Sequence, residues 1–202
     1  MLLAESQYLP PISVFKNLIA ETHVAFYLYD EYKKMSFRNR SIIPSANGLI
    51  HLSVPVEGGR QQNKPMKDVR IFNGEKWQLR HWRAITSAYN RSPWFEFYED
   101  GLAGFYNTQY EFLFDWNIEL FHWIVEGLGL TCTVETISAL PPIEDLKDIR
   151  NTIRPATYVN VNPSEYPVYS QVFVNKIGFQ PNVSIIDLLF CEGRNAKKIL
   201  SQ

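Results

Sequence analysis

The sequence predicts a layered domain of the α/β class, or of the α+β class, over residues 1–202. Segments with the composition of strands alternate with segments of helical periodicity, which is typical of these two classes. A long segment near 110–127 is apolar over much of its circumference, as in a buried central helix. Aromatic residues make up 14% and charged residues 20% of the 202 residues, so a single domain can bury a large core.

The first third of the chain predicts mostly strands. Residues 1–6 form a short apolar strand, and residues 7–22 form a helix with Pro10 and Pro11 in its first turn. Residues 23–29 are rich in β-branched and aromatic residues, which indicates a second strand.

A hairpin and a loop follow. Residues 35–44 and 48–56 read as two strands around the turn at 44–48. Residues 57–68 are polar and contain glycine, so we expect a mobile loop there.

Two helices and a strand are predicted in the middle of the chain. Residues 75–90 repeat apolar side chains at helical spacing, and residues 110–129 form the long helix, which Gly127 and Gly129 end. Residues 131–137 read as a strand.

The C-terminal part predicts a short helix over 141–150 and a strand over 167–174. Two helices close the chain, over 183–193 and 195–201. Together these elements give the alternation of the layered classes. The first strand, the loop with Tyr8 and the first helix resemble the start of a Rossmann-like nucleotidyltransferase.

Composition excludes several classes of function. A net charge of −1 and a pI near 6.4 argue against a nucleic-acid-binding surface. No run of 18 apolar residues occurs, so we expect no membrane span. The two cysteines, Cys132 and Cys191, lie in apolar runs without CxxC spacing, which favours free thiols and a cytoplasmic protein.

The long helix carries a polar stripe that could suggest a metal site. Asp115, Glu119, His122 and Glu126 fall on one helix face. Di-iron bundles need two Glu-x-x-His pairs, and this chain has one. We therefore predict no metal site.

His81 is the strongest candidate for a base. It lies between Arg80 and Arg83, and neighbouring cations lower the pKa of an imidazole and keep it neutral. The same arginines could bind an anion, although a solvated helix face would give the same pattern.

Arg38 and Arg40 alternate with Phe37 and Asn39 in a predicted strand. Two arginines on one strand face could bind an anion with two hydrogen bonds each. Charges that protect an exposed edge strand are the alternative.

Asp187 interrupts an apolar run and follows Ser184 by three residues. This spacing predicts a capping box, in which Ser184 accepts from the amide of Asp187 and Asp187 reaches back to the amide of Ser184. A structural role is favoured, and a catalytic role is the alternative.

The order of these motifs resembles the WbqC-like protein family over about residues 7–193. The matching pieces, in chain order, are YLPPISVFKNLI, SFRNRSII, GLIHLSVPV, KDVRIFNGEKWQLRHWRAITSAYNRSPWF, LFDWNIELFHWIVEGLGL, TYVNV, YSQVF and PNVSIIDLLFCEG. Many members have His-Gln-Pro ahead of Tyr-x-Pro, where this chain has AES at 4–6.

The resemblance implies a bacterial transferase of surface-polysaccharide (O-antigen) biosynthesis, which would pass an aminoacyl or acyl group, such as glycyl, to an amino sugar. Its partners would be a nucleotide-activated sugar and an aminoacyl or acyl donor. The sequence identifies no cofactor. The expected catalytic residues are His81 as base and Asp187 as a second candidate. The expected substrate-binding residues are Tyr8, Asn39, Arg40, Arg80, Tyr89 and Gln171.

Two other functions fit the sequence. A non-enzymatic ligand-binding or scaffolding protein of an envelope pathway would explain why no complete catalytic motif is found. A nucleotidyltransferase would need a metal ion and a nucleoside triphosphate, and it would release pyrophosphate.

Overall fold

A four-stranded parallel sheet organises the protein. The computed structural model describes residues 1–58, 64–142, 146–155 and 162–202. Strands β1 (Leu2–Ala4), β2 (His23–Tyr27), β5 (Thr133–Ile137) and β6 (Lys147–Asp148) are hydrogen bonded in the order β5-β2-β1-β6. All three pairings are parallel. The protein is therefore an α/β domain, as the sequence predicts.

The second sheet is an antiparallel hairpin of β3 (Arg40–Ser45) and β4 (Gly48–Ser53). Its turn lies at the predicted place, and Gly48 has a φ of 118° that favours glycine. The hairpin prediction is confirmed, but Arg38 and Asn39 precede β3, so the strand alternation predicted for them does not apply.

Seven α-helices lie in the described part of the chain. In chain order they are α1 (Ile12–Leu18), α2 (Trp77–Tyr89), α3 (Phe95–Asn107), α4 (Leu113–Gly127), α5 (Val174–Ile177), α6 (Ile185–Glu192) and α7 (Ala196–Leu200). The predicted helix pattern is confirmed for α1, α2, α4, α6 and α7.

Helix α4 forms the centre of the core. Phe121 of α4 packs against Phe15 of α1 and Phe26 of β2, with ring centroids 5.3 and 4.9 Å apart. Trp116, one turn earlier, is fully buried against Trp77 of α2. The long apolar segment of the sequence is thus the helix on which the sheet and α2 pack.

Two predictions for the C-terminal half are corrected, and one helix in the middle of the chain is not predicted. Residues 147–148 lie in β6 and not in a helix, because their backbone pairs with β1. Residues 167–173 pair with no strand of the described chain, and α5 begins at Val174. Helix α3 is not predicted, because Gly101 and Gly104 lower its helix propensity.

Two sequence features lie partly or wholly outside the described residues. The predicted loop over 57–68 includes residues 59–63, and the motif TYVNV occupies residues 157–161. The described end of the loop forms a 3₁₀ turn over Met66–Asp68.

Helix α6 ends at a glycine that no other residue can replace without cost. Gly193 has a φ of 56°, and a Cβ at this position would lie 2.5 Å from the ring of Trp94. We expect Gly193→Ala to lower the free energy of unfolding by about 1–3 kcal/mol, through the left-handed backbone and displacement of the indole. Urea denaturation measures this loss.

Gly104→Ala is the matched control. Gly104 lies inside α3, and a Cβ there meets no atom within 4 Å. This variant should keep or raise stability by up to about 1 kcal/mol. Equal losses in both variants would contradict the explanation for Gly193.

Candidate functional site

The order of the parallel strands indicates where a ligand can bind. In chain order β1, β2, β5 and β6 are the first to fourth strands of the sheet, so the spatial order is 3-2-1-4. The chain runs from β1 to β2, which lies on one side of β1, whereas β6 pairs with β1 on its other side. In open parallel sheets, ligands bind beyond the carboxyl ends of the strands at such a switch point. The boundary of β1 and β6 is therefore the first place to look for a site.

Five polar side chains meet at this edge, and we call them the edge cluster: Glu5, Asp30, Arg38, Arg150 and Asn151. Arg38 Nη2 donates to Asp30 Oδ2 at 2.6 Å and to Asn151 Oδ1 at 3.1 Å. The Arg38 side chain is only 1% exposed, so this is a buried ion pair.

Glu5 and Arg150 complete the edge cluster from β1 and β6. Glu5 accepts a hydrogen bond from the amide of Asn151 and lies 3.8 Å from Arg38 Nη2. Arg150 lies 3.5 Å from Asp30 and donates to Asp148 at 2.7 Å. Hydrogen bonds from Arg150 lower the pKa of Asp148. Two cations and two acids, of which Glu5 is fully buried, thus stabilise each other where the strands end.

Buried polar atoms without a partner are concentrated beside the edge cluster. Among the described residues, no hydrogen-bond partner is found for Ser6 Oγ, Gln7 Oε1, Arg38 Nε, Asn39 Oδ1 and Arg40 Nε. The two segments are adjacent, since the amide of Tyr8 donates to the carbonyl of Phe37. An unpaired buried polar atom costs about 1–3 kcal/mol. Because each of these atoms is buried, a polar ligand can reach this group of donors and acceptors only when neighbouring side chains move.

The backbone between the edge cluster and α1 is strained. Leu9 has a φ of 43°, and Ser41 and Ser184 both donate to its carbonyl, at 2.9 and 3.0 Å. Strained residues of this kind are frequent at functional sites.

The hydroxyl of Ser184 therefore does not cap α6, and the capping-box prediction is wrong. The amide of Asp187 donates to the backbone carbonyl of Ser184.

Tyr8 and His81, two of the predicted site residues, are in contact. The Tyr8 hydroxyl is 3.0 Å from His81 Nδ1 and 2.6 Å from the Tyr106 hydroxyl. The rings of Tyr8 and His81 stack with centroids 5.6 Å apart. A chain of two phenols and one imidazole thus runs through the core between the loop after β1, α2 and α3.

His81 is neutral at pH 7. Burial, with a smaller effect from the charge of Arg80, lowers its pKa to about 4, against a hydrogen bond with the backbone of Ser53. The predicted cationic effect is present, although burial is the larger cause. Arg80 is exposed and paired with Glu75 at 2.5 Å. A base with so low a pKa accepts protons weakly at neutral pH.

Asp187, Gln171 and Tyr89 form a second group with Tyr169, and we call these four residues the carboxyl cluster. Tyr169 and Gln171 donate to Asp187 Oδ2 at 2.6 and 2.8 Å. The side chains of residues 167–171 alternate between buried and exposed, as they would in a strand. Those of Tyr169 and Gln171, however, are hydrogen bonded to the carboxylate of Asp187 and do not face a sheet.

Asp187 is a fully buried acid, 0% exposed. Burial raises its pKa to about 6, against the hydrogen bonds from Tyr169 and Gln171, which favour the carboxylate. Oδ1 has no hydrogen-bond partner among the described residues.

The predicted site residues fall into separate groups. Helix α2 carries His81 near its start and Tyr89 at its end, eight residues later, which places the two groups roughly 12 Å apart along the helix. Asn39 donates to the carbonyl of Val54, and Arg40 is half-buried at the start of β3.

The sequence does not predict five of the residues in these clusters: Glu5, Asp30, Arg150, Asn151 and Tyr106. Glu5 and Asp30 each follow an apolar strand, and a carboxylate at that place is a usable signal. Asn151 gives a weaker one, since its φ of 61° suits asparagine.

Among the residues that the structure describes, no helix is long and apolar enough to cross a bilayer. Within the same part of the chain, no group of three or more histidine, cysteine, aspartate or glutamate side chains is arranged to hold a metal ion.

Comparison with known proteins identifies one family and one relative. The model of the WbqC-like protein family matches residues 5–162 and 156–199. The chain is 28% identical to "Uncharacterized protein Rv1507c" of Mycobacterium tuberculosis, over 98% of this chain and 96% of the relative. No solved structure matches significantly. The matched residues include all five residues of the edge cluster, and the chain belongs to the WbqC-like protein family.

Proposed function

We propose that the protein is a transferase that binds a nucleotide-activated amino sugar beside the edge cluster and passes an aminoacyl or acyl group to it. The observation that carries this proposal is the set of unpaired buried polar atoms at the switch point, on residues 6–7 and 38–40. A nucleotide-linked sugar supplies phosphate and hydroxyl groups that match such donors and acceptors.

The chemistry would be acyl transfer to an amine. The amine nitrogen attacks the carbonyl carbon of the donor, a C–N bond forms, and the leaving group departs with the electron pair of its bond. One proton must leave the nitrogen. The Tyr8 hydroxyl can pass this proton to His81 Nδ1, which is neutral at pH 7 but accepts protons only weakly because of its low pKa.

Arg40 is the proposed anion-binding residue. Its Nε is buried and has no partner among the described residues, while its side chain is only half-buried. Asn39 and Tyr8 would contribute polar contacts, and Arg80 would act through the pKa of His81. Asp187, Gln171 and Tyr89 lie at the other end of α2, so we propose that they support the site from a distance.

Binding and turnover should be measured with nucleotide-linked amino sugars and activated glycine. We expect Arg40→Met to weaken binding by about tenfold or more, because a charge-assisted hydrogen bond is lost. We expect His81→Ala to reduce turnover and to leave binding nearly unchanged. Arg83→Met is the control, since Arg83 is exposed on α2.

The outcomes separate the candidate functions. Full turnover by His81→Ala would contradict the role of His81, and absence of any binding would overturn the proposal. Binding without turnover would favour the ligand-binding alternative. The observation that supports this alternative is that the cations Arg38 and Arg150 of the edge cluster are already paired with acids. Pyrophosphate release from a nucleoside triphosphate would favour the nucleotidyltransferase.

A further inference from the structure

A cavity of about 480 Å³ lies between residues 170–176 and the end of α6. Its size falls within the usual range of ligand pockets, roughly 300–1,000 Å³. Its walls include Pro93, Val172, Phe173 and Cys191, and Arg91 and Lys176 also line it. None of the residues that line it is acidic.

Arg91 and Lys176 are available to a ligand. Both are exposed, and neither takes part in an ion pair among the described residues. Two cations beside an apolar cavity would attract an anion and hold its head group in water-accessible positions. The apolar walls would accept an apolar tail.

The wall of the cavity formed by Gln171 is rigid. Gln171 is 5% exposed, and the two N–H groups of its side-chain amide are shared among the Tyr169 hydroxyl, the carbonyl of Gln180 and Asp187. Its side-chain oxygen accepts from the amide of Gln180. These bonds fix the segment that carries Val172 and Phe173. A fixed wall means that little free energy is spent on ordering the cavity when a ligand binds.

The buried carboxyl of Asp187 lies behind Gln171 and decides the orientation of a ligand. A negative head group would avoid this inner side, so the head group belongs beside Arg91 and Lys176. The tail then points inward, towards Cys191, which is one helical turn from Asp187.

We propose that this cavity binds an amphipathic anion, with one carboxylate or phosphate head group and a short apolar tail. The site lies at the end of α6 that is remote from the edge cluster, and it does not depend on the proposed transferase activity. Neither the family match nor the relative assigns a ligand here.

Titration calorimetry with four probes that share a ten-carbon tail tests the proposal. The probes are decanoate, decyl phosphate, decanol and decyltrimethylammonium, each below its micellar concentration. We expect the two anions to bind at least about tenfold more tightly than the neutral and cationic probes, since each ionic contact contributes a comparable factor. Equal binding of all four, or no binding, would overturn the proposal. A difference between the two anions would identify the preferred head group.

Charge reversal locates the head group. The double variant Arg91→Glu/Lys176→Glu should weaken decanoate binding by about tenfold or more. Arg83→Glu/Lys198→Glu makes the same change in net charge at exposed positions and should stay within about twofold. Equal weakening in both variants would contradict a role for Arg91 and Lys176.

The two cysteines locate the tail. Cys191 lines this cavity, whereas Cys132 lines a different one beside Leu130 and Lys197. Decanoate should slow alkylation of Cys191 and leave that of Cys132 unchanged, as measured by peptide mass spectrometry. Protection of both thiols, or of neither, would show that the tail does not occupy this cavity.

Discussion

Arg38→Met is expected to lower the free energy of unfolding by about 3–5 kcal/mol, because it removes the buried cation that pairs with Glu5 and Asp30. Arg38 is 1% exposed and lies 2.6 Å from Asp30, and the side chain of Glu5, 3.8 Å away, is 2% exposed. The methionine fills a similar volume, so the loss reports charge and hydrogen bonding more than packing. Urea denaturation at pH 7 measures the loss.

Arg80→Met is a matched control for this prediction. Arg80 and Glu75 also form a pair, 2.5 Å apart, but their side chains are 61% and 52% exposed. Exposed pairs contribute about 0–1 kcal/mol. The two variants therefore compare equal chemistry at different burial.

The double variant Arg38→Met/Asp30→Asn separates the two causes of the loss. If an unpaired buried charge is the main cost, the neutral amide should recover part of the stability. No recovery, or a loss for Arg38→Met as small as that for Arg80→Met, would show that the edge cluster does not stabilise the fold.

The second large effect concerns pH, where His81 and Asp187 are expected to act in opposite directions. The folded pKa of His81 is about 4, below its ordinary 6.5, because burial disfavours the imidazolium. Its contribution is present above pH 6.5 and is lost as the pH falls towards 4. The folded pKa of Asp187 is about 6, above its ordinary 3.8. Its contribution is present below pH 3.8 and is lost as the pH rises through 6.

Each contribution amounts to about 3 kcal/mol, and the two largely cancel between pH 4 and pH 6. Single substitutions should reveal them. Relative to the unchanged protein, Asp187→Asn should gain stability by about 2 kcal/mol as the pH rises from 4 to 6. His81→Gln should lose a similar amount over the same interval. Denaturation curves at several pH values give both slopes, and parallel slopes in the three proteins would contradict the burial effect.

The raised pKa of Asp187 is also relevant to whether its role is structural or functional. An acid that titrates near pH 6 in contact with Tyr169 and Gln171 changes the hydrogen bonding of the carboxyl cluster when it ionises. The variant Asp187→Asn keeps the volume and one acceptor oxygen, so its stability at neutral pH is informative. A gain there would indicate that the carboxylate is kept for a reason other than stability.

Local sequence determined most of the elements. Apolar spacing of 3.6 residues is a property of the helix itself, so α2, α4 and α6 could be predicted, and the alternation of elements gave the α/β class. From the sequence, Tyr8 and His81 were expected to belong to the same site, but their direct contact was not predicted. The two residues are 73 positions apart in the chain.

Only the tertiary structure decided where the polar side chains meet. Arg38 and Asn151 are 113 residues apart in the chain. Strand β6 has only two residues, and they form a strand because their backbone pairs with that of β1. Asp187 shows the limit most clearly. Its spacing from Ser184 suits a capping box, yet Ser184 donates to Leu9, 175 residues away, and Asp187 binds Tyr169 and Gln171. Spacing along a chain specifies which hydrogen bonds are locally available, whereas burial by distant segments decides which of them form.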